Sequence, residues 1–132
     1  MYPTLLINDH VIVEVWDEYA PQKGDLIAFT SKGDPNQNLV KRVIGIPGDR
    51  ISAKGGFIYL NGEREREFKA DEIQILVADR RTIKIGKDKV FVLGDNRNNS
   101  FDSLDFGTIP YDKIIGKVVY IYWPPSRIGK VE

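Results

Sequence analysis

Apolar and polar residues alternate along the chain in short runs that turn residues separate. Such alternation is typical of strands, because successive side chains of a strand point to opposite faces of the sheet. No window of a dozen residues keeps the i, i+3, i+4, i+7 apolar spacing of an amphipathic helix. The pattern predicts strands over residues 10–15, 25–29, 39–46, 57–60, 82–85, 89–93 and 116–123. Strands this frequent, with turns between them, predict an all-β barrel or sandwich with antiparallel pairing.

Turn residues between these runs add detail to the prediction. Asn61-Gly62 follows an apolar run and predicts a two-residue hairpin, because both central residues of that turn need a positive φ. The polar, turn-rich stretch 33–38 predicts an exposed loop. The sequence Glu-Arg-Glu-Arg-Glu at 63–67 predicts a solvated surface run.

The chain is expected to form one core with a small insert. Its 132 residues are about the length of one domain and are enough to bury a substantial core. The stretches rich in motif-like residues lie within 1–50 and 88–132, and we interpret these two parts together as a β core. Residues 51–87 contain no such motif, and we interpret them as a small inserted cap subdomain.

Net charge and residue usage exclude several classes of function. The chain has 19 Lys and Arg and 19 Asp and Glu, and we expect no nucleic-acid partner, because phosphate neutralisation needs clustered excess basic residues. With no cysteine and one histidine, it has no thiol nucleophile and no residues for a Cys- or His-based metal cluster, so we expect neither metal nor cofactor. His10 is predicted to lie on the surface at the start of a strand. No stretch approaches the ~20 apolar residues of a membrane-spanning helix, and the chain is expected to be soluble or peripherally attached.

Lys41 is a candidate general base. In a strand it shares a face with Leu39 and Val43, while Arg42 faces the other way. If that face points inward, burial disfavours the charged ammonium and lowers a pKa that is otherwise near 10.4. A neutral lysine amine can take a proton from a hydroxyl. The alternative is that Lys41 and Arg42 are an exposed pair on an edge strand, where charges discourage aggregation.

A dense polar loop, residues 94–103, follows the predicted strand 89–93. Asp, Asn and Ser at this density often hydrogen-bond to their own backbone in turns. Asp95, Ser100 and Asp102 could equally pair with the strand that carries the lysine. A calcium loop is excluded, because the third position from the first aspartate is arginine and the sixth is serine rather than glycine.

Three segments of the chain, taken in order, resemble the type I signal peptidases of bacteria and organelles. They read Met1-Tyr2-Pro3-Thr4-Leu5, Lys41-Arg42-Val43-Ile44-Gly45-Ile46-Pro47-Gly48-Asp49 and Gly94-Asp95-Asn96-Arg97-Asn98-Asn99-Ser100-Phe101-Asp102-Ser103. The resemblance runs from Met1 to about Gly129 and includes the tail Arg127-Ile128-Gly129. It implies a Ser–Lys endopeptidase that removes signal peptides from exported proteins at the outer face of a membrane. The implied fold is a coiled antiparallel, β-barrel-like core with a small inserted β subdomain.

The resemblance also implies a role for individual residues. Lys41 matches the general base, and Ser100 matches the hydroxyl that hydrogen-bonds and orients it. Arg42 and Asp95 match a supporting ion pair, and Asp102 matches a further carboxylate behind the site. The positions that match substrate-binding residues are Met1, Leu5, Asn38, Leu39 and Val40. An extended signal peptide would pair with the strand, and shallow pockets would select small side chains of the Ala-x-Ala type.

The chain departs from the family's pattern in two places. The family's nucleophilic serine stands immediately before the position of Met1, and the membrane anchor lies upstream of it, so we expect a truncated reading that is inactive or nearly so. Leu104 stands where the family often has an arginine that pairs with the carboxylate at Asp102.

Three other interpretations remain open from the sequence. The chain could be a non-catalytic β-barrel that binds extended, signal-peptide-like segments. It could be an oligonucleotide-binding barrel, although the neutral charge disfavours this. It could also be a self-cleaving, repressor-type protease with the same Ser–Lys chemistry, but no DNA-binding helical segment precedes the barrel.

Overall fold

The computed structural model describes residues 1–55, 57–65, 80–96 and 101–131, and these form strands with few helical turns. The strands are β1 (His10–Glu14), β2 (Leu26–Thr30), β3 (Asn38–Gly45), β4 (Arg50–Lys54), β5 (Phe57–Leu60), β6 (Glu63–Arg64), β7 (Arg80–Lys84), β8 (Lys89–Leu93), β9 (Ile109–Pro110), β10 (Ile114–Trp123) and β11 (Gly129–Lys130). A single-turn helix, α1, spans Ser103–Phe106, and 3₁₀ turns span Tyr111–Lys113 and Pro125–Arg127. The predicted all-β fold is confirmed. Within the described ranges, no helix has the length and apolar character to cross a membrane.

The strands form two antiparallel sheets. The larger sheet has the order β1-β10-β2-β3-β8-β9, and β11 also pairs with β10. The smaller sheet has the order β6-β5-β4-β7. Strand β3 therefore lies between β2 and β8, in the interior of the larger sheet. The edge-strand alternative for the strand that carries Lys41 is wrong.

Strand β3 is covered on its β8 side over only part of its length. Strand β2 pairs with β3 from Asn38 to Arg42, whereas β8 pairs with it from Arg42 to Gly45. On the β8 side, none of the described strands pairs with residues 38–40. The first half of β3 thus presents a backbone edge directly beside Lys41.

The two sheets share one apolar cluster. Ile44, Phe91 and Leu93 of the larger sheet pack with residues of the smaller sheet and its borders, namely Ile51, Ala53, Ile58 and Ile85. Burying each large aliphatic side chain contributes roughly 1.5–3 kcal/mol. The interpretation of residues 51–87 as a small inserted cap subdomain stays a prediction.

The turn at residues 47–49 carries the chain from one sheet to the other. Gly48 has φ of 91°, a left-handed conformation that favours glycine, and its N–H donates to the Ile85 carbonyl at 2.9 Å. Asp49 closes the turn, because its Oδ2 accepts the Ile46 N–H at 3.0 Å. The Gly-x-Pro-Gly-Asp motif therefore has a structural explanation in this turn.

Most local sequence predictions match the structure. The seven predicted strands correspond to β1, β2, β3, β5, β7, β8 and β10 within two residues at their ends. Asn61 and Gly62 have φ of 52° and 87°, which confirms the hairpin turn. His10 is exposed at the start of β1, where its ring meets the Tyr122 ring edge to face.

The prediction of a solvated run at 63–67 is wrong for Glu65, and Arg64 is half-buried. Glu65 is only 8% exposed. The Arg64 guanidinium lies 3.6 Å from the centroid of the Phe57 ring, a cation–π contact. Alternating charges gave no sign of this, because the hairpin folds the run back over β5. Residues 66 and 67 lie outside the described residues.

Candidate active site

Lys41 is buried in the larger sheet. Its side chain and backbone together are 9% exposed, and its neighbour Arg42 is 3% exposed. Simple alternation predicts that only one of two adjacent strand residues faces inward. Here Lys41 and Arg42 are both buried, because apolar clusters cover both faces of β3. Val43 packs in the cluster on one face and Ile44 in the cluster on the other.

Burial changes the acidity of the Lys41 amine. Desolvation lowers its pKa from 10.5, while the carboxylates of Asp102 and Asp105 act in the opposite direction and raise it. The net shift is downward, so the neutral amine is more abundant near neutral pH than for a free lysine. This is the electronic condition that a lysine general base needs.

Arg42 and Asp95 form a buried ion pair beside Lys41. Arg42 Nε lies 2.8 Å from Asp95 Oδ1, and Nη2 lies 2.8 Å from Oδ2. The guanidinium also donates from Nη1 to the Gly24 carbonyl at 2.9 Å. The Thr4 hydroxyl donates to Asp95 Oδ2. The structure thus brings together the two residues expected to pair. It also adds a link, missed by sequence reasoning, to the N-terminal segment, residues 1–6.

Asp102 anchors the polar loop to strand β8. It is 2% exposed, and its carboxylate accepts the N–H groups of Leu104 at 3.1 Å and Gly94 at 3.2 Å. The Asp105 carboxylate accepts the Asp102 N–H at 3.0 Å, which completes a capping box for α1. This end of the loop is therefore rigidly held.

Two neighbours of Asp102 also have clear roles. The Ser103 Oγ accepts the Val92 N–H at 2.9 Å and is 1% exposed, so it braces the loop against β8. Leu104 packs against the apolar cluster between the two sheets. The residue that stands in place of the family's usual arginine therefore contributes to the core. Ser100 lies outside the described residues.

The N-terminal amine lies in the same site as Lys41. Burial lowers the pKa of the Met1 amine, the Lys41 charge lowers it further, and Asp95 raises it. The Met1 side chain packs against a cluster that contains Leu26, Ala28 and Val118. The Met1 amine is therefore within electrostatic range of both Lys41 and Asp95.

An apolar groove lies beside Met1. It encloses about 600 Å³ and is lined by Met1, Tyr2, Leu5, Leu6, Ile7 and Val40. Three of the predicted substrate-binding residues, Met1, Leu5 and Val40, thus lie together. Leu39 instead packs towards the cluster on the opposite face, and Asn38 is exposed at the start of β3. The apolar run Leu5-Leu6-Ile7 was the signal that could have extended the predicted groove.

Comparison with known proteins gives a consistent result. The family described as "Signal peptidase, peptidase S26" matches residues 1–123. The chain is similar to signal peptidase I of Leptolyngbya laminosa, with 36% identity over 140 residues that cover 99% of this chain and 68% of that protein. It is 34% identical to the probable signal peptidase I-2 of Synechocystis sp. over 139 residues, which are 98% of this chain and 62% of that protein. A crystal structure of a signal peptidase I from Enterococcus faecalis matches with a TM-score of 0.61 and 29% identity, over 75% of this chain and 97% of that one.

Proposed function

The chain belongs to the peptidase S26 family of signal peptidases, and on that premise we propose that it is the catalytic region of a signal peptidase I. Its reaction would be hydrolysis of the peptide bond that joins a signal peptide to an exported preprotein. One observation carries the proposal most directly. Lys41 is buried and the pKa of its amine is lowered by that burial, and its charge in turn contributes to lowering the pKa of the Met1 amine.

In the proposed mechanism, Lys41 is the general base for a serine hydroxyl at the position preceding Met1. The neutral amine takes the hydroxyl proton as the serine oxygen attacks the scissile carbonyl, and the resulting ammonium returns that proton to the leaving amine. Water then hydrolyses the acyl-enzyme with Lys41 again as the base. Ser100 is assigned the role of orienting the lysine.

The supporting residues are assigned to geometry rather than proton transfer. The Arg42–Asp95 pair fixes β3 against the N-terminal segment through the Thr4 hydroxyl. Asp102 accepts the N–H groups of Gly94 and Leu104, and its charge raises the pKa of Lys41 against the lowering by burial. Both effects act on where the amine lies and how basic it is.

Substrate recognition is assigned to the backbone edge of β3 and the groove beside it. An extended peptide could pair with residues 38–40 on the side that β8 leaves uncovered. Its alternate side chains would then point towards the groove lined by Met1, Leu5 and Val40. This supports an extended substrate such as the Ala-x-Ala end of a signal peptide. The partners would be exported preproteins, met on the extracytoplasmic side of a membrane to which a segment outside the 132 residues attaches the protein.

The test uses a chain with a serine placed directly before Met1 and a fluorogenic peptide with an Ala-x-Ala site. We expect cleavage after the second alanine of the motif. Lys41→Met should lower kcat/KM by about 10²–10⁴-fold, the usual contribution of a general base. The matched control is Lys89→Met, which removes an exposed lysine from β8 and should leave the rate unchanged. Undiminished activity of Lys41→Met would contradict the proposal.

The same groove and edge also support peptide binding without cleavage. The 132-residue chain should bind the Ala-x-Ala peptide, since neither the groove nor the β3 edge depends on a nucleophile. If the serine-bearing chain binds the peptide and never cleaves it, a non-catalytic peptide-binding role replaces the proposed one.

A further inference from the structure

The proposed function leaves one sequence motif without a role, the tail Arg127-Ile128-Gly129. In the structure, Arg127 reaches back across the chain to the N-terminal segment, defined here as residues 1–6. Its Nε lies 2.8 Å from Asp9 Oδ1 and 3.0 Å from Oδ2, and its Nη2 donates to the Thr4 carbonyl at 3.1 Å. The Asp9 side chain is 2% exposed, and its Oδ2 also accepts the Leu6 N–H at 2.8 Å. The pair therefore holds two backbone groups of the N-terminal segment.

The segment held in this way leads directly to the reaction centre. The Thr4 hydroxyl donates to Asp95, which is paired with the residue next to Lys41 in β3. At the start of the segment, the Met1 amine is close enough to Lys41 to feel its charge. A shift of the segment at Thr4 would thus move the backbone that leads to Met1, whose amine is within range of the Lys41 charge.

The C-terminal stretch supports the same segment over several residues. A surface pocket is lined by Pro3 and Thr4 on one side and by residues 127–131 on the other. Val131 packs in the apolar cluster that contains the Met1 side chain, and its N–H donates to the Val119 carbonyl at 3.1 Å. Charge-assisted contacts from a planar guanidinium then fix the direction of the segment, which apolar packing alone would not.

We propose that the Asp9–Arg127 pair is a positioning clamp that sets where the backbone of Met1 lies relative to Lys41. Neither residue is assigned a part in proton transfer. The catalytic consequence of the clamp rests on the proposed function, whereas its structural consequence does not. The hydrogen bonds from Arg127 hold the pKa of the Asp9 carboxyl below its usual range, so the clamp stays charged at neutral pH.

Met1 is the only methionine in the chain, so a ¹³C-methyl methionine label gives one NMR signal from the segment itself. In the unmodified 132-residue chain, we expect the Met1 methyl signal at a chemical shift typical of a packed side chain. Asp9→Asn and Arg127→Lys should both move it towards the position of a free methionine. The control Ile58→Val loosens the cluster between the sheets, far from the segment in sequence and in a different cluster, and should leave the signal in place.

The second readout is activity in the chain that carries a serine before Met1. Both clamp variants should lower kcat by about 10–100-fold, the effect of a misplaced reacting group, while KM changes less than about twofold. An unmoved Met1 signal with an unchanged kcat in both variants overturns the clamp, as does a signal that moves equally in the control. If Asp9→Asn does not fold, the test rests on Arg127→Lys. That variant keeps the positive charge and loses only the planar guanidinium that contacts Asp9 and the Thr4 carbonyl together. If the Met1 signal moves as expected but the parent chain has no activity, the clamp stands and the proposed function fails.

Discussion

Asp95→Asn gives the sharpest test of how the site is held together. The parent ion pair is almost completely buried, with side-chain exposures of 4% for Arg42 and 0% for Asp95. The two N–H···O contacts are both 2.8 Å long. Asparagine keeps the size of the side chain but offers one oxygen in place of two. Its amide group would then face a guanidinium N–H or the Thr4 hydroxyl, each of which donates to Asp95 in the parent.

The expected cost follows from leaving one charge buried without its partner. Breaking a buried ion pair in this way costs about 3–5 kcal/mol. A domain of this size has a free energy of unfolding of roughly 5–15 kcal/mol, so the loss is a large fraction of it. With a urea m-value of about 2 kcal/mol/M, the unfolding midpoint should fall by about 1.5–2.5 M.

The measurement is urea unfolding followed by tryptophan fluorescence, with a double variant as the control. Arg42→Met with Asp95→Leu removes both charges, and apolar replacement of a whole buried pair is often close to neutral. The double variant should recover at least half of the lost free energy of unfolding. The rest stays lost because the Gly24 carbonyl no longer has Arg42 Nη1 as its donor. A loss below about 1 kcal/mol for Asp95→Asn, or a double variant as unstable as the single one, would refute the reasoning.

Three further predictions concern packing and protonation. A Cβ at Gly116 would collide with the Glu14 carbonyl oxygen, so Gly116→Ala should lower the free energy of unfolding by about 1–3 kcal/mol. A Cβ at Gly86 has no contact nearer than 3.7 Å, so the control Gly86→Ala should change stability little. Equal melting temperatures of the two variants would contradict this. Asp102→Ala removes the acceptor of two N–H groups and should cost about 1–3 kcal/mol in urea unfolding, and an unchanged midpoint would show that the loop is held otherwise. Lys41→Met should raise stability, and it should also remove a pH dependence. The folded state binds the Lys41 proton less tightly than the unfolded state does. The parent should therefore gain stability as pH rises from the lowered pKa of Lys41 towards 10.5, while the variant should not. Parallel stability–pH curves for parent and variant would count against the buried amine.

The sequence predicted the strands well because alternation is a local property. Strand β5 and the turn at Asn61 and Gly62 needed only a few neighbouring residues to be recognised. Strand β4 was missed, since three of its five residues are Arg50, Ser52 and Lys54 and its apolar side is short. The two-residue strands β6, β9 and β11 exist only through their partners, so no local pattern marks them.

The site was predictable in its residues more than in its arrangement. The resemblance of the motifs indicated Lys41 and the Arg42–Asp95 pair. Alternation could not show that Lys41 and Arg42, which are adjacent in β3, are both buried. That depends on the smaller sheet, whose residues pack against Ile44 on the second face of β3. Likewise, Asp9 and Arg127 are 118 positions apart, and only the folded chain brings them together.

The protonation of Lys41 is the point on which the account depends most, and it can be measured directly. A ¹³C-lysine label followed through a pH titration gives the pKa of each amine, and the Lys41 signal is identified by its absence in Lys41→Met. We expect the Lys41 amine to titrate clearly below 10.5, the ordinary value for lysine. Titration at or above 10.5 would contradict a buried general base at this position.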